Sequence, residues 1–504
     1  MLVSYFNNTV SIYIYIQFIS IFLFLCSITV SLLLVDNYVI VVSRYSWYIF
    51  VNNIKFVLIG GICLINIINL VVVYSIYRHI WTDIYGGLFW VYHSQVISFL
   101  VFYTVLLNWS ELTVVFVLLI SFLYPVILIL MQYDFSLNQY KYFCYMMWLY
   151  VVIYIFISTV DLLLFYIIYE LMIGIVFFIM YLTSNSRGSI EAILFFLGWA
   201  VIGSFCLGIA VLYIIIVGGL RYFDMFFYIP FSVNERYLLY CLLFIGFGTK
   251  LSIWPFWYWL PRAHVEVSTG MSIFLSCILI KVCFYGFFKM LISISGEIVI
   301  FPFIFLAGIC VFDLTVRLII QVDLKAITAY GSVLHVNLFL ILFLVDTGML
   351  NNGLIFYIWG HSYATAGVFF VINLIERCCG SRLTFELVGI YKTNPVVGLA
   401  SVLSLLTFLE FPLCFFFWGE VWLWVVTLDT FPLLIFLLMF ISVVCYIIVF
   451  FRIWWGTLFG GIPYTSVALV HSVTIEDLFV IVYIIMFQYL VGFYPSMLCW
   501  YTIS

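Results

Sequence analysis

Asp161-Leu-Leu-Leu-Phe-Tyr-Ile-Ile-Tyr-Glu-Leu-Met-Ile-Gly-Ile-Val-Phe-Phe-Ile-Met-Tyr-Leu182 decides the fold. Beyond its opening aspartate this stretch is apolar apart from one charge, Glu170. About twenty such residues span a hydrocarbon core about 30 Å thick as an α-helix. Glu170 stands nine residues past Asp161, about 13 Å at about 1.5 Å per residue, which is near the midplane. An ionisable group at that depth costs roughly 2.5 to 3.5 kcal/mol on insertion scales, and such groups persist mainly where protons, ions or substrates must pass.

The rest of the chain reads the same way. Of its 504 residues 68% are hydrophobic and only 8% charged, so a soluble core is excluded and an all-α polytopic membrane protein is expected. Tyr, Trp and Phe reach 22%, too many for interfacial belts alone. The formal net charge of -4 argues against a polyanionic partner, so no nucleic acid is expected. Apolar runs give about fourteen transmembrane helices, near 9–35, 54–77, 111–131, 141–159, 162–182, 190–216 and 237–259, then 268–293, 299–320, 326–346, 352–374, 395–425, 431–455 and 475–497. His93, Ser94 and Gln95 interrupt 88–107, which reads as a hairpin or interfacial piece.

Basic residues orient these spans. Arg44, Lys55, Lys141, Arg187, Arg262, Arg317, Lys325, Arg377, Arg382, Lys392 and Arg452 gather on one side, against Arg78, Arg221, Arg236 and Lys289 on the other. The richer side is the cytoplasm-like one, with both termini opposite. The first charge is Asp36, which excludes an Arg-rich transit peptide, and the opening apolar run is too long for a cleaved signal.

Three more charges, Lys250, Lys281 and Glu420, share the depth of Glu170 inside apolar runs. Two of them stand near prolines, Lys250 before Pro255 and Glu420 after Pro412. Proline removes a backbone donor and breaks a helix, and matching broken helices in two halves point to an inverted-repeat transporter. The halves are 137–295 and 296–460, each with five spans and a broken fourth, flanked by helices in 1–136 and 461–504. The 13 cysteines include one close pair, Cys378-Cys379, without metal or redox spacing. No haem, iron–sulfur or nucleotide motif occurs, and no cofactor or metal is expected.

These residues also form recognisable motifs. Lys250-Leu-Ser-Ile-Trp-Pro255 and Trp259-Leu-Pro-Arg-Ala-His-Val-Glu266 come first, followed by Ile280-Lys-Val-Cys-Phe-Tyr-Gly286. Gln321-Val-Asp-Leu-Lys-Ala-Ile-Thr-Ala-Tyr330, Ser332, His335 and Gly419-Glu420 complete the set with Asp161 to Glu170. In this order they resemble the antiporter-like membrane subunits of respiratory complex I, and among them the NADH-ubiquinone oxidoreductase chain 4 family, over roughly residues 110–460. The resemblance implies proton translocation driven by redox chemistry elsewhere in the complex, in the inner mitochondrial membrane. It implies neighbouring antiporter-like chains and membrane lipid as partners.

By the same resemblance Glu170 and Lys250 form a coupled ion pair, Lys281 is the central proton carrier and Glu420 is the exit carboxylate. His335 and His361 match family histidines; they either relay protons between Lys281 and Glu420 through water or pack as hydrogen-bonded core residues. Tyr330, Ser332 and Tyr363 are candidates to hold water on that line, or interhelical glue. Physics agrees with the pair: an apolar site favours a neutral amine and a nearby carboxylate favours the ammonium, so moving the carboxylate switches the lysine. At about 8 Å and an effective dielectric of about 20 the pair energy is about 2 kcal/mol, enough to change occupancy and still reverse.

The chain departs from the family pattern at Glu266-Val-Ser268, at Ile320 and at Glu410. Arg317 stands one turn before Gln321, spaced to pair with Asp313. Glu410 is an extra carboxylate just before Pro412, read either as a protonatable step or as a neutral acid bonded to freed backbone. Two alternatives to the complex I reading remain at this stage, a cation/proton antiporter of the same fold and a membrane scaffold that has lost transport. The His264-Val-Glu266 motif, and glutamate at 420 where the related chain 5 subunits of complex I are expected to have lysine, count against the antiporter, and little room is expected after the last span for the long lateral helix of chain 5.

Overall fold

The computed structural model describes residues 111–131, 139–183, 187–219, 222–223, 231–294, 301–345, 352–431, 433–460 and 473–493. The expected spans 9–35 and 54–77 and the ambiguous 88–107 lie outside them. One compact unit takes residues 117–128, in the middle of helix α1 (Glu111–Met131), together with residues 1–100. Everything below concerns the other unit, which runs on to residue 504.

Its first five segments are α2 (Gln139–Ser158), α3 (Leu162–Thr183), α4 (Arg187–Gly218), a broken helix and a bent one. The broken helix is α5 (Val233–Leu251), a 3-10 turn Phe256–Tyr258 and α6 (Trp259–Glu266). The bent one is α7 (Thr269–Phe274), a π-turn Leu275–Leu279 and α8 (Ile280–Ser293). The order then repeats. α9 (Phe301–Leu318), α10 (Leu324–Val345) and α11 (Asn352–Cys379) precede the short α12 (Ile390–Thr393), and a second broken helix follows as α13 (Pro395–Phe408) and α14 (Phe415–Thr430). α15 (Leu433–Phe459) and α16 (Ile475–Phe493) end the described chain. Among the described residues seven helical segments are long and apolar enough to cross a membrane, so the chain is an all-α polytopic membrane protein.

Small details repeat as well. Asp161 caps α3 by accepting from the Leu163 and Leu164 N–H groups at 2.9 and 3.1 Å, and its backbone bridges Tyr222. Asp323 caps α10 through the Lys325 N–H at 2.9 Å and bridges Leu383. Both are the first residue before the second helix of a five-segment set.

The breaks fall where proline was expected to put them. Leu251 ends α5, Ser252 turns into the left-handed region at φ 57°, and the freed carbonyls find protein partners. Gly248 O accepts from the Ser252 and Ile253 N–H groups, Thr249 O from the Trp259 indole at 2.5 Å, and Ser252 O from the Asn337 amide at 3.4 Å. Such satisfaction is what irregular backbone at membrane depth demands. The first broken span runs on to Glu266, seven residues past its expected end at 259, because the chain resumes as α6 after the turn. The loop whose sequence departs from the family pattern is therefore just Val267 and Ser268.

In the second break Phe408 ends α13, and Glu410 and Leu413 take φ 56° and 82°. The Leu409 N–H donates to Leu405 O at 2.9 Å, that of Phe411 to Leu406 O at 3.0 Å and that of Cys414 to Phe411 O at 3.2 Å. Packing between α11 and α14 is close enough that only glycine fits. A Cβ on Gly360 would sit 2.5 Å from Phe416 Cα, and one on Gly419 would sit 2.6 Å from the Tyr357 nitrogen. Small residues let helix backbones approach in this way. This contact seats Tyr357 and His361 of α11 against α14.

Candidate functional site

The four charges expected to carry the chemistry divide into two neighbourhoods. In the first, α3 carries Glu170 and the last turn of α5 carries Lys250. Lys250 is buried, 3% exposed, and its Nζ lies 3.4 Å from the centre of the Tyr169 ring, an ammonium held by a π face. Nζ meets no hydrogen-bond acceptor among the described residues, and neither does Glu170 Oε1 meet a donor. The Ser204 hydroxyl of α4 stands within hydrogen-bonding reach of the Glu170 carboxyl, and Glu170 itself is half-buried.

In the second neighbourhood the contacts are polar and direct. The π-turn sends the Ile280 N–H back five residues to Leu275 O, and this wider turn sets up the start of α8. Lys281 Nζ donates to Ser276 O at 2.6 Å and meets His361 Nδ1 at 2.6 Å. The rings of His361 and His335 lie 5.6 Å apart. A cavity of about 10 Å³ is lined by Lys281, His335, Tyr357 and His361, with Phe284 and Phe339 on its apolar side. That is the scale of a single water molecule.

His335 continues the series. Its Nε2 meets Tyr446 OH at 3.2 Å, its Nδ1 meets Tyr357 OH at 3.4 Å, and the same Nδ1 stands 3.1 Å from Glu410 Oε1. Glu410 is buried and its carboxyl shares a hydrogen bond with that of Glu420. Glu420 is half-buried and accepts from the Trp424 indole at 3.0 Å.

A run of aromatic rings leads from one neighbourhood to the other, and Cys283 of α8, two residues past Lys281, also faces Lys250. Tyr169 packs on Phe247 at 5.5 Å, Phe247 on Phe287 at 5.7 Å, and Phe287 on Phe284, which lines the Lys281 cavity.

The structure chooses between several alternatives that the sequence left open. Tyr330, Ser332 and Tyr363 do not line the Lys281 cavity. Tyr330 packs against Trp257, Ser332 bonds back to Ala329 O, and Tyr363 stacks on Phe487 at 4.0 Å. The tyrosines of the site are Tyr357 and Tyr446. His361 touches Lys281 directly, with no water needed between them. Lys325, counted on the positive side, bonds Val267 O at 2.9 Å in the loop that follows Arg262 on that same side, and is buried there. Glu410 is not bonded to freed backbone carbonyls; it faces His335 and Glu420. Arg317 does pair with Asp313, at 2.9 Å.

Two participants were not singled out from sequence. His264 is fully buried on α6 against Phe369, with both ring nitrogens unpartnered among the described residues. Cys277 sits in the π-turn and reaches Ser362 O at 3.1 Å. The motif Trp259 to Glu266 contained the first, but nothing local marks the second.

Broken helices around buried ionisable residues, in a chain otherwise apolar, define a polytopic integral membrane protein with the helix architecture of inverted-repeat transporters. Residues 159–448 match the family described as NADH:quinone oxidoreductase/Mrp antiporter, transmembrane, and the chain belongs to that family. A relative named NADH-ubiquinone oxidoreductase chain 4 from Paramecium tetraurelia is 35% identical over 257 residues, 50% of this chain and 53% of its own length. The chain thus spans about half the length of that relative. Among solved structures, a membrane-bound sulfane sulfur reductase, an archaeal respiratory membrane complex, aligns over 96% of this chain and 95% of its own with TM-score 0.73 at 16% identity. Respiratory complex I from Thermus thermophilus aligns over 78% and 82% with TM-score 0.69 at 18% identity. These likenesses carry the fold.

Proposed function

We propose that this chain is a proton-translocating, antiporter-like subunit of the membrane arm of respiratory NADH:ubiquinone oxidoreductase. It works in the inner mitochondrial membrane beside other antiporter-like chains. The two five-helix sets, 137–295 and 296–460, are its translocation repeats. Quinone reduction elsewhere in the complex supplies the energy, and this chain holds and moves protons.

One observation carries the reading: buried Lys281, His361, His335 and Glu410 stand in near-contact series and lead to the half-buried Glu420. A lysine whose ammonium donates to one carbonyl and one imidazole nitrogen can hand a proton to that nitrogen when the field around it changes. The field changes with the position of Glu170 relative to Lys250, whose ammonium leans on a ring face and not on a fixed anion. A movement of that carboxylate reaches Lys281 as a change in the surrounding field.

The test is the assembled complex carrying Lys281→Ala. NADH oxidation and assembly are expected to persist while protons moved per electron fall. An unchanged ratio defeats the assignment. Sodium-dependent flux from the purified chain alone supports the cation antiporter in its place.

A further inference from the structure

We propose that Glu410 is an obligatory relay residue standing between His335 and Glu420, so that this chain ends its path on two carboxylates in series. The inference rests on the translocation reading above.

The geometry argues against a structural acid. Backbone groups at the second break bond to one another, through Leu409 to Leu405, Glu410 to Thr407, Phe411 to Leu406 and Cys414 to Phe411, while the Glu410 side chain turns to His335 and Glu420. Glu410 sits at φ 56°, a conformation that costs an L-residue other than glycine roughly 1–2 kcal/mol. Burying a carboxyl adds a desolvation cost that only good partners offset. Position 410 therefore carries a strained and buried acid where glycine would fit the backbone without either cost. Strain of this kind gathers at functional sites.

The partners are those of a relay. Glu410 Oε1 lies 3.1 Å from His335 Nδ1, in contact but not aligned as a hydrogen bond, and has no hydrogen-bond partner among the described residues. The carboxyls of Glu410 and Glu420 are hydrogen-bonded to each other. Tyr446 and Tyr357 hold the two nitrogens of the His335 ring, so the ring is aimed and Nδ1 faces the acid. The hydrogen bond between the two acids holds one proton, seated on Glu420, and the cycle begins when Glu420 gives it up on the outward side and becomes a carboxylate. A proton on His335 then leaves by breaking Nδ1–H and forming O–H on the Glu410 carboxylate. The neutral acid then breaks its O–H bond in favour of the Glu420 carboxylate, which restores the Glu410 anion. His335 ends one proton poorer and Glu420 one richer, with no other reactant.

The experiment measures protons moved per electron in membranes holding the assembled complex. Glu410→Gln keeps the size and polarity of the side chain but cannot pass a proton, and is expected to lower the ratio as far as Lys281→Ala does. Should Glu410→Gln fail to assemble, Glu410→Gly suits the left-handed backbone and is expected to assemble with the same loss. A parental ratio in either assembled Glu410 variant, alongside a lowered ratio in Lys281→Ala, overturns the relay and leaves the translocation reading standing. A parental ratio in Lys281→Ala removes that reading itself.

Discussion

The two broken helices share a backbone device and differ in what they do with it. Each places a non-glycine residue in the left-handed region just past the end of a helix, Ser252 at φ 57° and Glu410 at φ 56°. In the first break the ionisable group is Lys250, two residues before the turn, and it leans on the face of Tyr169 with no acceptor among the described residues. In the second, the turning residue is itself the acid, and it meets His335 and Glu420. The same bend isolates one charge and wires the other into a series. An isolated charge responds to fields; a wired one passes protons on.

The largest expected contrast comes from one aromatic substitution in each neighbourhood. His361→Phe removes the nitrogen that Lys281 meets at 2.6 Å and is expected to abolish proton movement while the complex still assembles. Tyr169→Phe keeps the ring face under Lys250 and is expected to pump at the parental ratio. Equal losses in both would break the distinction between field-sensing and proton-passing halves. Next in size is Phe287→Ala, which removes a buried ring from the aromatic stretch between the two lysines. It is expected to destabilise the subunit by about 3 kcal/mol, read as a lower melting temperature of the purified complex.

Glu170→Gln is smaller in energy. Loss of its interaction with Lys250, about 2 kcal/mol on the Coulomb scale for a partly screened pair, is expected to slow turnover by about tenfold to thirtyfold while the complex still assembles. An unaltered rate would mean Glu170 does not set the charge on Lys250. Smallest is Ser252→Gly, which relieves the left-handed strain where the side chain has no partner among the described residues. It is expected to raise stability by about 1 kcal/mol with pumping unchanged, whereas Glu410→Gly relieves the same strain and loses pumping. Matching behaviour of the two glycine variants would make the breaks functionally alike.

Much of this was legible in the sequence because apolar length and proline placement are local properties. The run 162–182 became Leu162–Thr183, 352–374 became Asn352–Cys379, and both breaks fell beside Pro255 and Pro412. Buried charge is legible for the same reason: Lys281 and Glu170 stand out in oily helices. Contacts across the fold are not local. A residue that ends a helix in a left-handed turn points where the turn sends it, so the spacing of Glu410 from Pro412 gave no hint of His335, 75 residues earlier. Tyr330 and Tyr363 share a helix with site residues but sit on other faces, while Tyr357 lies one turn before His361 and was passed over. The π-turn also escaped notice, since Leu275–Leu279 carries no residue that demands it.

The decisive measurement is a map of ordered water between Glu170 and Glu420 in the assembled complex. Water is expected in the cavity bounded by Lys281, His335 and His361, with no standing water file through the Phe247, Phe287 and Phe284 rings, and with carboxyl contact from His335 to Glu410 to Glu420. A water file that runs from Lys281 to Glu420 without touching His335 or Glu410, or a dry cavity beside Lys281 in every state of turnover, would contradict it.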